Sequence, residues 1–184
     1  EGATQIYVRD MQSGRTARVT DVAMRPSGLS FSPDGQQLAF AMFTPSTPKS
    51  LFKLSFKPEG ATWAEEAHYI DQTLFQRDGA GMNRPGNMQV YVVPAFGGTP
   101  RQITSGDYDY GGRLMWTEDG SQIVMSANVR DDSEFDVFNS DLLAVNVKDG
   151  SVSKLTDATG PESNPTLSPN GKMIAFTGFD DNGK

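Results

Sequence analysis

The residues of this chain that could perform chemistry are mainly carboxylates, because nucleophiles and bases are nearly absent. The 184 residues include no cysteine and one histidine, His68. Peptide hydrolysis by a serine of the hydrolase type needs a G-x-S-x-G turn and a histidine base that follows it. The sequence has no such turn. We therefore predict no catalytic residue in the chain and a surface position for His68.

The densest group of carboxylates is DDSEFD, which contains Asp131, Asp132, Glu134 and Asp136. Hard oxygen ligands of this kind suit calcium. Their spacing does not match a calcium-binding loop, and the segment FDDNGK (179–184) holds only a fragment of one. A solvated acidic loop between two strands is the favoured interpretation. We predict no metal site and no cofactor.

A second acidic group is the pair Glu65 and Glu66, in the segment TWAEEAHYI (62–70). Adjacent carboxylates bind an ammonium group well when they are partly desolvated. The segment is also the only one with helical composition. An exposed helical turn is the interpretation that we favour for the pair.

Bulk composition limits the classes of partner. The net charge of −7 and the pI near 4.6 disfavour nucleic acid and an anionic membrane surface. No apolar run approaches the length that crosses a bilayer. With 19 Gly and 11 Pro, the composition is typical of a folded protein rich in turns.

The elements that must position these residues come from an internal repeat. SFSPDGQQLAFAM (30–42), MWTEDGSQIVMSA (115–127) and LSPNGKMIAFTG (167–178) each place Gly after Asp or Asn, between two strand-like runs. Asp-Gly and Asn-Gly supply the positive φ that tight hairpin turns require. The glycines for which we predict positive φ are Gly35, Gly120 and Gly171.

A second hairpin motif alternates with the first. It reads IYVRDMQSGRTARVT (6–20), VYVVPAFGGTPRQIT (90–104) and LLAVNVKDGSVSKLT (142–156), which align without a gap. Each copy has a β-rich run, a turn that ends in Gly, a second run and a closing Thr. Because two different motifs stay in step, the generic hairpins of a β-sandwich are a weaker explanation.

Two hairpins in a repeat of about 50 residues are typical of the four-stranded blades of a β-propeller. Short apolar strands without strict alternation, such as LAFAM, suit blades that bury both faces. We predict an all-β fold in which residues 1–184 form a β-propeller fragment, with two complete four-stranded blades plus a half-blade at each end. The predicted units are a half-blade at 6–20, a blade at 29–104 with an insertion at 44–87, a blade at 113–156 and a half-blade at 165–178.

Each orphan half-blade would expose a sheet edge, which natural proteins avoid. We therefore expect the chain to be a fragment of a larger propeller. Its strands are equivalent to three blades, and known propellers close with four or more. We expect the isolated chain to associate with itself through its terminal half-blades.

The whole chain resembles the propeller domain of serine peptidases of the prolyl oligopeptidase family, of the acylaminoacyl peptidase and dipeptidyl peptidase type. The most particular feature is the insertion with Arg77, Asp78, Gly79 and Gly81, which precedes a strand ending in Gly-Gly-x-Pro-Arg-Gln. The Pro-Asp-Gly hairpin alone is shared with the propeller of the Tol translocation protein. The segments that carry the resemblance are YIDQTLFQRDGAGM (69–82), QVYVVPAFGGTPRQIT (89–104), GDYDYGGRLMWTEDG (106–120) and SPNGKMIAF (168–176).

The resemblance implies a lid that admits short peptides to a separate α/β-hydrolase domain, no part of which lies in this chain. Peptide substrates would then be partners through that domain. Dipeptidyl peptidases of this family hold the substrate amino terminus with a Glu pair, which Glu65 and Glu66 would match, whereas the acylaminoacyl type needs none. The alternative is a non-enzymatic Tol-type propeller that binds protein partners. Both kinds are often exported in bacteria, which favours a periplasmic location.

Overall fold

The computed structural model describes residues 3–47, 59–60, 62, 69–79 and 81–179. Within these residues the chain is all-β, as predicted, with strands and turns and no helix. No membrane-spanning helix occurs in them either. Glu65, Glu66 and His68, most of the expected helical turn at 62–70 and the terminal residues 180–184 lie outside the described residues.

The strands form two four-stranded antiparallel sheets and three two-stranded ones. The first large sheet has the order β3 (Pro26–Phe31), β4 (Gln37–Pro45), β7 (Gly86–Pro94), β8 (Arg101–Gln102). The second has the order β9 (Gly111–Trp116), β10 (Gln122–Ala127), β11 (Asp141–Asn146), β12 (Val152–Lys154). The small sheets are β1 (Tyr7–Arg9) with β2 (Thr16–Arg18), β5 (Gln76–Arg77) with β6 (Gly81–Met82), and β13 (Glu162–Leu167) with β14 (Ile174–Gly178).

Successive sheets pack face to face in chain order. Strands β3, β4 and β7 contact β9, and β9, β10 and β11 contact β13. The central strands β4, β7, β10 and β11 are therefore buried on both faces, which explains their near-continuous apolar sequences. The arrangement is propeller-like, and no closed ring of sheets is formed by the described residues.

A stacked aromatic pair anchors the first large sheet. Phe40 on β4 lies directly opposite Tyr91 on β7, with ring centroids 5.6 Å apart and an interplanar angle of 15°. Both rings join a buried cluster with Ile6 and Val19, which belong to the β1–β2 hairpin. The hairpin is therefore held by apolar burial as well as by its own hydrogen bonds.

The first hairpin motif builds the same turn three times. Gly35, Gly120 and Gly171 have φ of +68°, +67° and +67°, which confirms the predicted positive values. The N–H of Gly120 donates to the carbonyl of Thr117 at 2.9 Å, as in a type I turn. Asp119 has no positive φ, so the two-residue Asp-Gly turn in which both residues are left-handed is not the one used.

The side chain before each turn closes it. The Thr117 hydroxyl accepts from the N–H of Gln122 at 3.0 Å and donates to Asp119 Oδ1 at 2.6 Å. This hydroxyl, together with the backbone N–H and the hydroxyl of Ser121, lowers the pKa of Asp119 to about 2. Ser32 and Ser168 make the equivalent contacts in the other copies.

We expect Gly120→Val to lower the free energy of unfolding by about 1–2 kcal/mol, because a Cβ is disfavoured at positive φ. Urea denaturation of the purified chain measures the change. Ser121→Val, at the exposed next position, is the matched control and should cost less. Equal losses at the two positions would contradict the hairpin geometry.

Candidate functional site

Alternate connections of the stacked sheets meet at one end, which we call the rim. It consists of the described residues within 46–85, 103–110, 128–140 and 155–161, which link β4–β7, β8–β9, β10–β11 and β12–β13. In antiparallel sheets these connections return to the same end. Hydrogen bonds join them: Thr73 N–H donates to Glu134, and Arg130 Nη2 donates to the carbonyl of Ala158 at 2.7 Å.

The insertion carries its own hairpin, β5–β6, onto the rim. Gly79 and Gly81 have φ of +76° and +78°, as the sequence predicted. Asn83 fixes the base of the hairpin, because its N–H donates to the carbonyl of Phe75 at 2.8 Å and its side-chain amide donates to that of Leu74 at 2.7 Å. Apolar side chains of the insertion remain exposed, namely those of Tyr69, Ile70, Leu74, Phe75 and Met82.

The acidic loop 131–136 lies beside the insertion, at the contact between Thr73 and Glu134. Its backbone forms a tight turn in which the N–H groups of Phe135 and Asp136 donate to the carbonyl of Asp132. Three apolar residues follow the carboxylates and are exposed to solvent: Phe135, Val137 and Phe138. The loop therefore presents negative charge and apolar side chains together.

The described residues contain no group of three or more acidic or histidine side chains placed to bind one metal ion. Carboxylates of the acidic loop bind polar hydrogens instead, since Asp136 Oδ2 accepts from the Asn139 amide at 3.2 Å.

A buried ion pair supports this part of the rim. Asp141, at the start of β11, is fully buried, and it lies 3.0 Å from Arg130 Nη2 and 2.8 Å from Lys154 Nζ. Burial raises the pKa of Asp141, but the hydrogen bonds from Lys154 and Arg130 outweigh it and hold the pKa below its usual range. Exposed Asp157 contacts the same two cations at 3.2 and 3.3 Å.

Sequence reasoning missed this cluster, although the repeat contained a signal. In the other two copies the equivalent position is Gln5 or Gln89, whose amide oxygen accepts from the closing Thr20 or Thr104. In the third copy Thr156 donates instead to Glu162, which leaves the buried position free for a charged residue. A carboxylate that replaces two amides at one repeat position indicates a different local role.

The rim has the character of an open binding surface and supplies no catalytic machinery. The cavity at the base of the insertion, lined by Thr44, Asn87, Gln89 and Gln102 among others, has a volume of about 130 Å³. Pockets for drug-sized ligands are larger, roughly 300–1,000 Å³. Exposed apolar residues flanked by carboxylates suit an extended peptide or a protein partner better than an enclosed small molecule.

A sequence family gives an independent line of evidence. The family model PD40, described as TolB beta propeller domain, matches residues 1–184. The Tol-Pal system protein TolB of Francisella tularensis subsp. tularensis (strain SCHU S4 / Schu 4) is 26% identical over 187 residues, which cover 95% of this chain and 40% of that protein. The uncharacterized peptidase YuxL of Bacillus subtilis (strain 168) is 25% identical over 127 residues, which cover 69% of this chain and 19% of YuxL.

Solved structures show the same two-sided similarity. TolB from Acinetobacter baumannii superposes with a TM-score of 0.58 at 18% identity, over 98% of this chain and 33% of that one. Pyrococcus horikoshii acylaminoacyl peptidase, in its orthorhombic crystal form, gives a TM-score of 0.62 at 17% identity, over 96% of this chain and 25% of that one. The chain thus spans less than half the length of these relatives, and at these identities the structures show the fold alone.

Asp141→Asn should lower the free energy of unfolding at pH 7 by about 3 kcal/mol, because it leaves two cations beside a buried neutral group. The native pKa of Asp141 is depressed, so its contribution is present above the unfolded-state pKa of about 3.9 and disappears as pH falls through the lower native value. Urea denaturation of both proteins from pH 7 to pH 3 should therefore show the difference shrinking in acid.

Asp157→Asn is the matched control, since it contacts the same cations from an exposed position. Its loss should stay within about 1 kcal/mol. Equal losses for the two variants would contradict a structural role for the buried carboxylate.

Proposed function

Because the chain belongs to the PD40 family of TolB-type β-propeller domains, we propose that it is the non-catalytic propeller of a larger serine peptidase. In this proposal it gates the access of short peptides to an α/β-hydrolase domain of the acylaminoacyl or dipeptidyl peptidase type. The two four-stranded sheets are complete blades, and the terminal two-stranded sheets β1–β2 and β13–β14 are half-blades.

The observation that carries the proposal is the insertion at the rim. The hairpin that contains Arg77, Asp78, Gly79 and Gly81 is the part of the sequence most particular to the peptidase propellers, and it lies where the connections of two sheets meet. The similarity to YuxL and to acylaminoacyl peptidase supports the same assignment.

The physical basis of gating is the combination of charge and exposed apolar surface on this rim. A short peptide with a basic group would be attracted by the carboxylates of loop 131–136 and would pack its apolar side chains on Phe135 and Phe138. A folded protein keeps its apolar side chains inside and cannot make the same contacts. Selection for short, unfolded chains follows from that difference.

A second candidate is a non-enzymatic propeller that binds protein partners, as a Tol-type protein. The TolB relative from Francisella tularensis aligns over 95% of this chain, more than YuxL does, and this observation favours it. The same rim would serve as the docking surface. The two candidates differ in the presence of a hydrolase domain in the full protein.

The reading frame that encodes the chain distinguishes these candidates. The peptidase proposal expects a G-x-S-x-G turn, followed by Asp and His, in the residues that follow this propeller. Purified chain 1–184 should show no turnover of acyl-peptide or dipeptide chromogenic substrates. Hydrolysis that a serine-directed inhibitor abolishes would contradict the non-catalytic role, and a frame without the turn would favour the partner-binding candidate.

Peptide binding by the rim is tested with the chain itself. A labelled basic peptide with two aromatic residues should bind, and Phe135→Ala combined with Phe138→Ala should weaken binding by about tenfold. Fluorescence anisotropy at two salt concentrations measures both the apolar and the ionic part. Phe96→Ala is the matched control, because Phe96 is equally exposed on the β7–β8 turn at the opposite end. Equal effects at the two ends would exclude the rim as the binding surface.

A further inference from the structure

Strands β1 and β14 each lack a neighbour that their counterparts in the large sheets have. In the repeat, β14 corresponds to β4 and β10, and β1 corresponds to β7 and β11. In both large sheets these counterparts pair directly. In the described part of the chain, β14 pairs with β13 alone and β1 with β2 alone. The two open edges are thus complementary halves of one strand pair.

The two large sheets give the same register for this pair. Aligning the turn glycines places Phe176 with Phe40 and Met125, and it places Tyr7 with Tyr91 and Leu143. Phe40 lies opposite Tyr91, and Met125 lies opposite Leu143. Both templates therefore place Phe176 opposite Tyr7.

Backbone polarity agrees with this register. The Ile6 carbonyl accepts from Val19 N–H at 2.8 Å, so alternation turns the polar groups of Tyr7 away from β2 and toward the open edge. The Met173 carbonyl accepts from Ser168 N–H at 2.8 Å, so those of Phe176 also face the open edge. Donors and acceptors therefore match across the proposed pair.

Burial marks the same residues. Phe176 is 43% exposed and Tyr7 is 60% exposed, whereas their stacked counterparts Phe40 and Tyr91 are 0% and 9% exposed. Leu155 on the adjacent sheet is 46% exposed, whereas its counterparts Val19 and Ile103 are each 5% exposed. These apolar residues are exposed where the repeat otherwise covers them.

We propose that the chain associates with a second copy of itself by pairing β14 of one protomer with β1 of the other, with Phe176 stacked on Tyr7. The reciprocal pair forms across a two-fold axis, so each mixed sheet has four strands. Six sheets then close a ring, within the range of four to eight blades found in propellers. The proposal concerns these edges and does not depend on the proposed peptidase role.

One residue opposes the pairing. Arg9 stands where the counterparts Val93 and Val145 are buried, opposite Ile174 in the proposed register. A charge on an open edge strand limits edge-to-edge association. Arg9→Val should therefore tighten the assembly, whereas changes to the aromatic pair should weaken it.

Sedimentation equilibrium of chain 1–184 at micromolar concentration is expected to show a dimer. Phe176→Ala and Tyr7→Ala should each weaken it by about tenfold or more, and the double variant should be little weaker than either single one, because both remove one contact. Arg9→Val should strengthen it several-fold. Phe176→Pro removes the edge donor and should give a folded monomer, because Pro is tolerated where the N–H faces solvent.

Phe96→Ala is the control for loss of an exposed aromatic residue and should leave the dimer unchanged. Circular dichroism and urea denaturation establish that each variant remains folded. A wild-type monomer that is folded and stable would overturn the proposal. So would an assembly larger than a dimer, or a dimer that Phe176→Pro leaves intact.

Discussion

The structure depends on one constraint: the central strands of each large sheet are buried on both faces. Residues such as Phe40, Val90, Ile123 and Leu143 are fully buried between neighbouring sheets. A single sheet with this composition would expose two apolar faces to water, so its stability comes from the sheets that cover it. Face-to-face stacking in chain order satisfies the constraint with short connections between consecutive sheets.

The rim follows from the same constraint. Because the strands spend their sequence on burial, charge and conformational variety are confined to the connections. The β4–β7 and β10–β11 connections carry the insertion and the acidic loop, and stacking brings them into contact through Thr73 and Glu134. Buried Asp141 then ties the β10–β11 connection to β12 through Arg130 and Lys154. Recognition is thereby separated from the packing that stabilises the fold.

Much of the fold was predictable from the sequence, whereas little of the candidate site was. The all-β class, the hairpins and the positive φ of Gly35 follow from turn chemistry and apolar runs. The sequence also located the acidic loop. It did not reveal that Asp141 binds Arg130, because that contact depends on how a loop folds back onto its strand.

The sequence by itself therefore determined the hairpins and their order, since a turn and its flanking strands are specified by residues close together in the chain. Only the tertiary structure decided which connections share the rim and which carboxylate is buried there. It also identified Phe176 and Tyr7 as the exposed counterparts of a stacked pair. These properties depend on the packing of one sheet against the next, which involves residues far apart in sequence and leaves no local pattern.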